Sequence, residues 1–345
     1  MVGNWTSGLL KQSYQGCDHP RLRSWEIPSK STARLPGGVL SIVDSDIQVA
    51  RLHGRVGEGL EAAAQVGDED AVGGHRRQYT PHMPEPDLEH VLVDHRGHRA
   101  TITLNQPDQR NPLGGGMLKD LLAAFSWARD EPEVRVVVLT GAGDKAFCAG
   151  ADLSSFNPEE SEVERHLGRH QFVDLFILMA DLGKPIVGRI NGHALAGGLG
   201  LATSCDILVT ADNATFGTPE INVGVWAMMI QAVLVRNIGR KKLLEMLLLG
   251  DRFGADEAYR IGLVNRVVPF AELDRAVDEV ADKLAKKSPV IMRLGRDSFY
   301  RTQDMDFRAA LEYLQSQLSL VTLTEDTREG VTAFFQKREP EFKGR

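Results

Sequence analysis

The sequence predicts an α/β domain occupying residues 83–345 of a 345-residue chain. Three observations predict it. β-branched apolar runs end in glycine or other small residues, helical periodicities separate those runs, and the pattern turns mostly helical after residue 228. Composition agrees: 42% hydrophobic and 25% charged residues suit a chain that buries a full core. A formal net charge of −7 argues against nucleic-acid or anionic-membrane partners. Cys17, Cys148 and Cys205 show no C-x-x-C spacing, which argues against a structural zinc site or a disulfide framework and for a reducing compartment. No apolar run approaches the roughly 18 residues that span a bilayer, and the N-terminus lacks a secretory hydrophobic core. A soluble, cytoplasmic protein without a membrane partner is expected.

Residues 1–82 mix Gly, Pro, Arg, Gln and Asp without sustained periodicity. They read as a disordered extension or as upstream sequence from a mis-assigned start, with Met83 the natural first residue of the regular pattern. Arg21, Arg23, Lys30 and Arg34 suit a transit segment and a mitochondrial location, but Asp18 and Glu26 oppose that reading.

After Met83 the elements come in order. "HVLVDHRGHRATITLN" is a hairpin signal, two alternating runs around Gly97. "MLKDLLAAFSWARDEP" has helical spacing and stops at Pro132. "VRVVVLTGAG" reads as a strand buried on both faces. "FVDLFILMADLGKP" is helical up to Gly183 and Pro185. "PIVGRINGHALA" and "CDILVTAD" are strands with a helix between them. In the last third, Leu273, Ala276, Val277, Val280 and Leu284 make one apolar helical stripe.

Two places join a strand to a helix through small residues: "KAFCAGADL" (145–153) and "HALAGGLGL" (193–201). Glycine lets a ligand approach the backbone, and the free N–H groups at a helix start favour negative charge. Two such N–H groups converging from separate strand ends would bind one oxygen as an oxyanion hole. Taken singly, either stretch reads first as tight strand–helix packing. Neither matches a dinucleotide fingerprint or a P-loop.

Five ordered segments carry a family likeness: "LNQPDQRNPL", "AFCAGADL", "KPIVGRINGHALAGGLGLATSCDI", "ATFGTPEINVGV" and "LLLGDRFGADEAYRIGLVNRVVP". They resemble the signature segments of the crotonase superfamily, the enoyl-CoA hydratases and isomerases, over residues 86–345. The resemblance implies the crotonase (ClpP-like) fold: repeated ββα units in a spiral core over 83–268 and a helical trimerisation region over 269–345, with assembly as a homotrimer or hexamer. It implies an acyl-CoA thioester substrate, coenzyme A entering as part of that substrate, and neither a metal nor a redox cofactor. Carried over by position, the thioester oxygen is held by the amides of Ala151 and Gly197, with Ala196 and Gly198 flanking. The adenine and phosphate groups of coenzyme A contact backbone near Gln109, Arg110, Asn111 and Ala149, with Asp108 where a lysine often stands. Phe334 and Lys337 take the places that reach bound coenzyme A near the C-terminus.

The resemblance also implies two catalytic glutamates for a proficient hydratase. One is present as Glu220; at the other position stands Gly200. Losing a general acid/base costs about 10²–10⁴ in rate, so a single-carboxylate isomerase or lyase and a catalytically weak acyl-CoA-binding protein stand beside the hydratase. Gly200→Glu is expected to raise hydration where the hole is intact. Glu162, Glu164 and Asp174 are candidate replacements for the missing group, read first as solvated helix residues. His193 and Cys148 read as packing residues and Asp152 as a helix cap. Trp226 with Val223, Val225, Met228 and Met229 reads as lining of the acyl pocket.

Overall fold

The computed structural model describes residues 83–151 and 161–345, together with three strands between residues 32 and 50. Two units divide the chain, 1–76 and 77–345. In the first, β1 (Thr32–Leu35), β2 (Gly38–Val43) and β3 (Asp46–Ala50) pair antiparallel in chain order. The remaining expectations for residues 1–82, the transit segment among them, fall outside the described residues.

The second unit holds two sheets. The larger contains β4 (Val91–Arg96), β5 (Arg99–Leu104), β6 (Val136–Gly141), β8 (Ile186–Ile190), β10 (Ile207–Ala211) and β13 (Arg266–Val268), in the order β13-β10-β8-β6-β5-β4. β4 and β5 are the expected hairpin, with Arg96 opposite Arg99 and Gly97 at φ 60°, the left-handed value a two-residue turn requires. The other pairings in this sheet are parallel. All six residues of β6 are buried, so no polar alternation appears in its sequence. On one face Val137 and Leu139 join the main core beneath α1 (Gly115–Asp130). On the other, Val136 and Val138 meet Leu273, Ala276, Val277 and Val280 of α7 (Leu273–Ala285), the stripe expected from the sequence.

The smaller sheet has the order β12-β11-β9-β7, built from β7 (Ala146–Cys148), β9 (His193–Leu195), β11 (Thr215–Gly217) and β12 (Arg252–Gly254). Three times the chain passes from the larger sheet to the smaller and on into a helix. The units are β6–β7–α2 (Glu162–Ala180), β8–β9–α3 (Gly197–Thr203) and β10–β11–α4 (Met228–Leu234). The single strand expected over 185–195 is therefore two strands in two sheets. The break falls at Asn191–Gly192, where the buried Asn191 donates from Nδ2 to the Gly143 carbonyl at 2.7 Å and ties neighbouring crossings together.

α1 stops at Asp130 because Glu131 precedes Pro132 and takes an extended conformation. α2 starts ten residues ahead of the apolar pattern at Phe172, at a capping box. Ser161 Oγ accepts from the Glu164 N–H at 3.2 Å, and Glu164 accepts from the Ser161 N–H at 3.0 Å. The other helices are α5 (Arg240–Leu249), α6 (Ala255–Arg260), α8 (Pro289–Thr302), α9 (Phe307–Leu323) and α10 (Glu325–Gln336). α8 is anchored by the buried Arg296, which donates to Asp206 at 2.9 Å and to the carbonyls of Met179 and Ala180 at 2.7 Å. α9 buries none of its residues in this chain. No described helix is long and apolar enough to cross a membrane.

Candidate active site

β7, β9 and β11 are adjacent and parallel, so they end at the same edge of the smaller sheet. Neighbouring strands lie about 5 Å apart. Three segments therefore leave that edge side by side: Ala149–Gly150–Ala151, Ala196–Gly197–Gly198 and Thr218–Pro219–Glu220. Topology alone gathers the residues that the sequence scatters over 70 positions.

The first two segments touch. A Cβ placed on Gly197 would lie 3.6 Å from the Ala151 nitrogen, and one on Gly150 would lie 3.4 Å from the Gly197 nitrogen. Among the described residues neither amide has a backbone acceptor. Phe172 and Leu113 wall the place where they meet, 3.4 and 3.5 Å from the same Gly197 position. Apolar walls strengthen whatever those dipoles hold. The approach costs backbone strain. Gly150 sits at φ 103°, where a side chain would also strike Ala196 Cβ at 2.6 Å. Ala196 takes φ 52° and ψ −129°, a glycine-like conformation held by its N–H to the Gly217 carbonyl at 2.9 Å. Such an alanine stores roughly 1–3 kcal/mol.

Glu220 lies on the 3₁₀ turn Pro219–Val223. Its side chain is half-buried, and Oε2 is wholly buried with no hydrogen-bond partner among the described residues. Burial pushes its carboxyl pKa above the ordinary glutamate value, against a smaller opposing effect of its own N–H. A carboxylate in that state is a stronger base than a solvated one.

The gain in hydration expected from Gly200→Glu meets an obstacle in the packing around Gly200. A Cβ there would come 2.2 Å from Ile230 Cγ2 and 3.3 Å from Phe176 Cζ. The space is filled from α4 and α2, so Gly200→Glu does not simply restore a carboxylate.

Gln109, which ends the 3₁₀ segment Pro107–Gln109, and Arg110, its cap at φ 65°, are both exposed. Ala149 is partly buried, and its N–H donates to the Arg110 carbonyl at 3.0 Å. Asn111 is fully buried and turned inward. Among the described residues its side chain bonds to backbone of this chain, so the side chain is not free to reach coenzyme A. Phe334 is 78% exposed on α10, and Lys337 is the exposed, left-handed cap of that helix. α10 packs on α8 and α9.

The other candidates fall mainly outside the shared edge. Glu164 is used in the capping box, and the Ser161 hydrogen bonds hold its pKa down. Asp174 is exposed and pairs with His170 at 3.4 Å. The Glu162 side chain and Asp152 lie outside the described residues. Cys148 is buried behind α3, and burial raises its pKa to about 12, which leaves it unreactive. His193 stands at the entry of β9 with Nδ1 2.6 Å from Thr215 Oγ1, and burial first, then Arg252 and Arg110, lower its pKa. Trp226 is packed against the core and donates to Gln231 at 2.9 Å; Met229 packs beside it, while Val223, Val225 and Met228 are exposed. Among the described residues no three His, Cys, Asp or Glu are grouped to hold a metal.

Residues 97–345 match the family described as enoyl-CoA hydratase/isomerase. The chain belongs to the enoyl-CoA hydratase/isomerase family. A short-chain-enoyl-CoA hydratase of Clostridium acetobutylicum is 35% identical over 264 residues, 75% of this chain and 100% of that one. A 2,3-dehydroadipyl-CoA hydratase of Escherichia coli is 32% identical over 260 residues, again 75% and 100%. The crystal structure of an enoyl-CoA hydratase from Mycobacterium smegmatis superposes with a TM-score of 0.71 at 34% identity, covering 74% of this chain and 99% of that one. The fold is the crotonase fold and the protein is an acyl-CoA enzyme of the lyase/isomerase type. Sequence reasoning misses two features of this family member. Ile230, in an ordinary apolar helix, fills the space beside Gly200. The capping box at Ser161 is legible as S-x-x-E.

Proposed function

We propose that the enzyme moves a proton on an enoyl-CoA thioester, with Glu220 as the single carrier and the Ala151 and Gly197 amides holding the enolate oxygen. The observation that carries this reading is the shared strand edge. It sets a buried carboxyl oxygen, unpartnered among the described residues, one strand-end from the Gly197 amide and two from the Ala151 amide. In the isomerase form, ionised Glu220 takes the α-proton of a 3-enoyl-CoA. The electrons of that C–H bond pass into the carbonyl, making an enolate whose oxygen the amides stabilise. Collapse of the enolate shifts the double bond to the 2,3 position as the γ-carbon takes the same proton from Glu220. One carboxyl group suffices, and the Ile230 methyl beside Gly200 supports it as the sole one. Each amide donor is worth about 3 kcal/mol in rate.

A second reading, slow hydration of a 2-enoyl-CoA with Glu220 alone, is favoured by relatives that are named as hydratases. Turnover of matched 2-enoyl- and 3-enoyl-CoA substrates by the purified protein decides between them. Isomerisation outpacing hydration supports the first, the reverse supports the second, and absence of both removes the enzymatic reading in favour of acyl-CoA binding alone. No group beyond the coenzyme A of the substrate has a part in this scheme. Coenzyme A would run along exposed Gln109 and Arg110. The apolar residues exposed on α9 and α10, Phe307, Leu311, Leu318 and Phe334 among them, support a homotrimer or hexamer in which Phe334 and Lys337 face a neighbour; light scattering tests it. The cytoplasm is the compartment we assign, on the buried free thiols of Cys148 and Cys205.

A further inference from the structure

We propose that Asn111 is the positioning residue of the amide pair: it sets where the Ala151 N–H points, and it does not itself touch coenzyme A. The proposal rests on the acyl-CoA reading above.

Asn111 is fully buried at φ 54°. Its Nδ2 lies 3.1 Å from the carbonyl oxygens of Ala142 and Ala146 and 3.2 Å from that of Phe147. Its Oδ1 accepts from the Gln106 N–H at 2.9 Å, and its own N–H donates to the Gln106 carbonyl at 2.9 Å. A carboxamide has two N–H donors and one carbonyl acceptor, and here each is engaged by this chain's own backbone.

The carbonyls it holds have a particular place. The β7–β9 pairing shifts register between Ala146 and Cys148. A bulge of this kind leaves one residue out of the ladder and re-aims the chain beyond it. The skipped residue is Phe147, and Asn111 takes its carbonyl. Three residues downstream the chain makes the Gly150 turn that presents Ala151. Main-chain bonds on either side of Asn111 grip the same segment: the Arg110 carbonyl accepts from Ala149 at 3.0 Å, and Leu113 donates to Gly150 at 2.8 Å. Leu113 and Ala151 then form a parallel bridge. Residues 110–113 thus lie alongside 149–151 as a short extra strand, with Asn111 locking the bulge just upstream. The Ala151 nitrogen is left beside Gly197.

Asn111→Gly separates the two things Asn111 does, since glycine adopts the left-handed φ without strain but carries no clamp. A small displacement of a catalytic donor costs about 10²-fold. The expected result is a kcat lower by about 10²-fold with KM for the CoA ester within about threefold, the signature of a loss felt mainly in the transition state. The infrared stretch of a ¹³C-labelled thioester carbonyl, shifted to lower frequency on binding the wild-type enzyme, should return toward its free value in the variant. Wild-type kcat with an unchanged stretch overturns the proposal. So does a raised KM with kcat intact, which would make Asn111 a coenzyme A contact. Should Asn111→Gly not fold, Asn111→Asp, equal in size but with oxygen facing the three carbonyls, decides by the same readouts. A wild-type protein that neither turns over an enoyl-CoA nor shifts a bound thioester carbonyl fails the underlying reading instead, and the wild-type arm shows that failure by itself.

Discussion

β6 and β7 are consecutive in the chain and are both fully buried, yet they are held in opposite ways. β6 lies inside the larger sheet, with apolar cover on both of its faces. Its stability comes from side-chain burial, and its backbone is regular. β7 has three residues, a bulge, and carbonyls borrowed by Asn111; beyond it the chain turns through a glycine at φ 103°. One sheet stores stability and the other stores geometry. A change in the first should lower the melting temperature, and a change in the second should lower the rate.

The largest effect tests the second half of that contrast. Glu220→Gln is expected to cut turnover by about 10²–10⁴-fold while affinity for the CoA ester persists; unchanged turnover removes Glu220 from its role. Stability should move the other way. Burial raises the folded-state pKa of Glu220 above its unfolded value, so the folded protein binds the extra proton between the two. Stability falls as pH rises through that window, and replacing the charge at neutral pH removes the penalty. Glu220→Gln should therefore melt higher than wild type at pH 7, with the difference vanishing below the unfolded pKa. In wild type, activity should fall on acidification with a midpoint above the ordinary carboxylate value, because the base must be ionised.

Leu139→Ala tests the first half. It should cost about 2–5 kcal/mol of stability by denaturant titration, with kcat of the folded protein unchanged. A tenfold fall in kcat with intact stability would break the contrast. Gly200→Ala forces a methyl against Ile230 and should cost roughly 1–3 kcal/mol. In an Ile230→Ala background, which lacks the Cγ2 that the new methyl meets, Gly200→Ala should cost less, and a double-mutant cycle measures the coupling. The smallest effect sharpens the account of strain. Ala196→Gly should raise stability by about 1 kcal/mol, because glycine relieves the positive φ.

The larger sheet is legible in the sequence because its physics is local pattern. The β-branched run that opens β6, the hairpin around Gly97 and the α7 stripe each announce burial in sequence order. The smaller sheet is legible only in part. Runs of three residues carry no usable periodicity, so β8 and β9 read as one strand until the crossing at Asn191 separates them. Ala151, Gly197 and Glu220 stand out through small residues and family likeness, since nothing local says that β7, β9 and β11 share an edge. Asn111 enters as a backbone contact to coenzyme A through the family likeness alone; which way its amide side chain turns is a tertiary fact. Ile230 is invisible for the same reason.

The packing between Gly200 and Ile230 bears on how this chain changes over generations. A glutamate at position 200 meets a filled space, and a smaller residue at 230 leaves a void while position 200 has no side chain to occupy it. Each single step descends before any benefit arrives. Acquiring a second acid/base group thus requires two coordinated replacements, which makes the present chemistry a resting place rather than a way station.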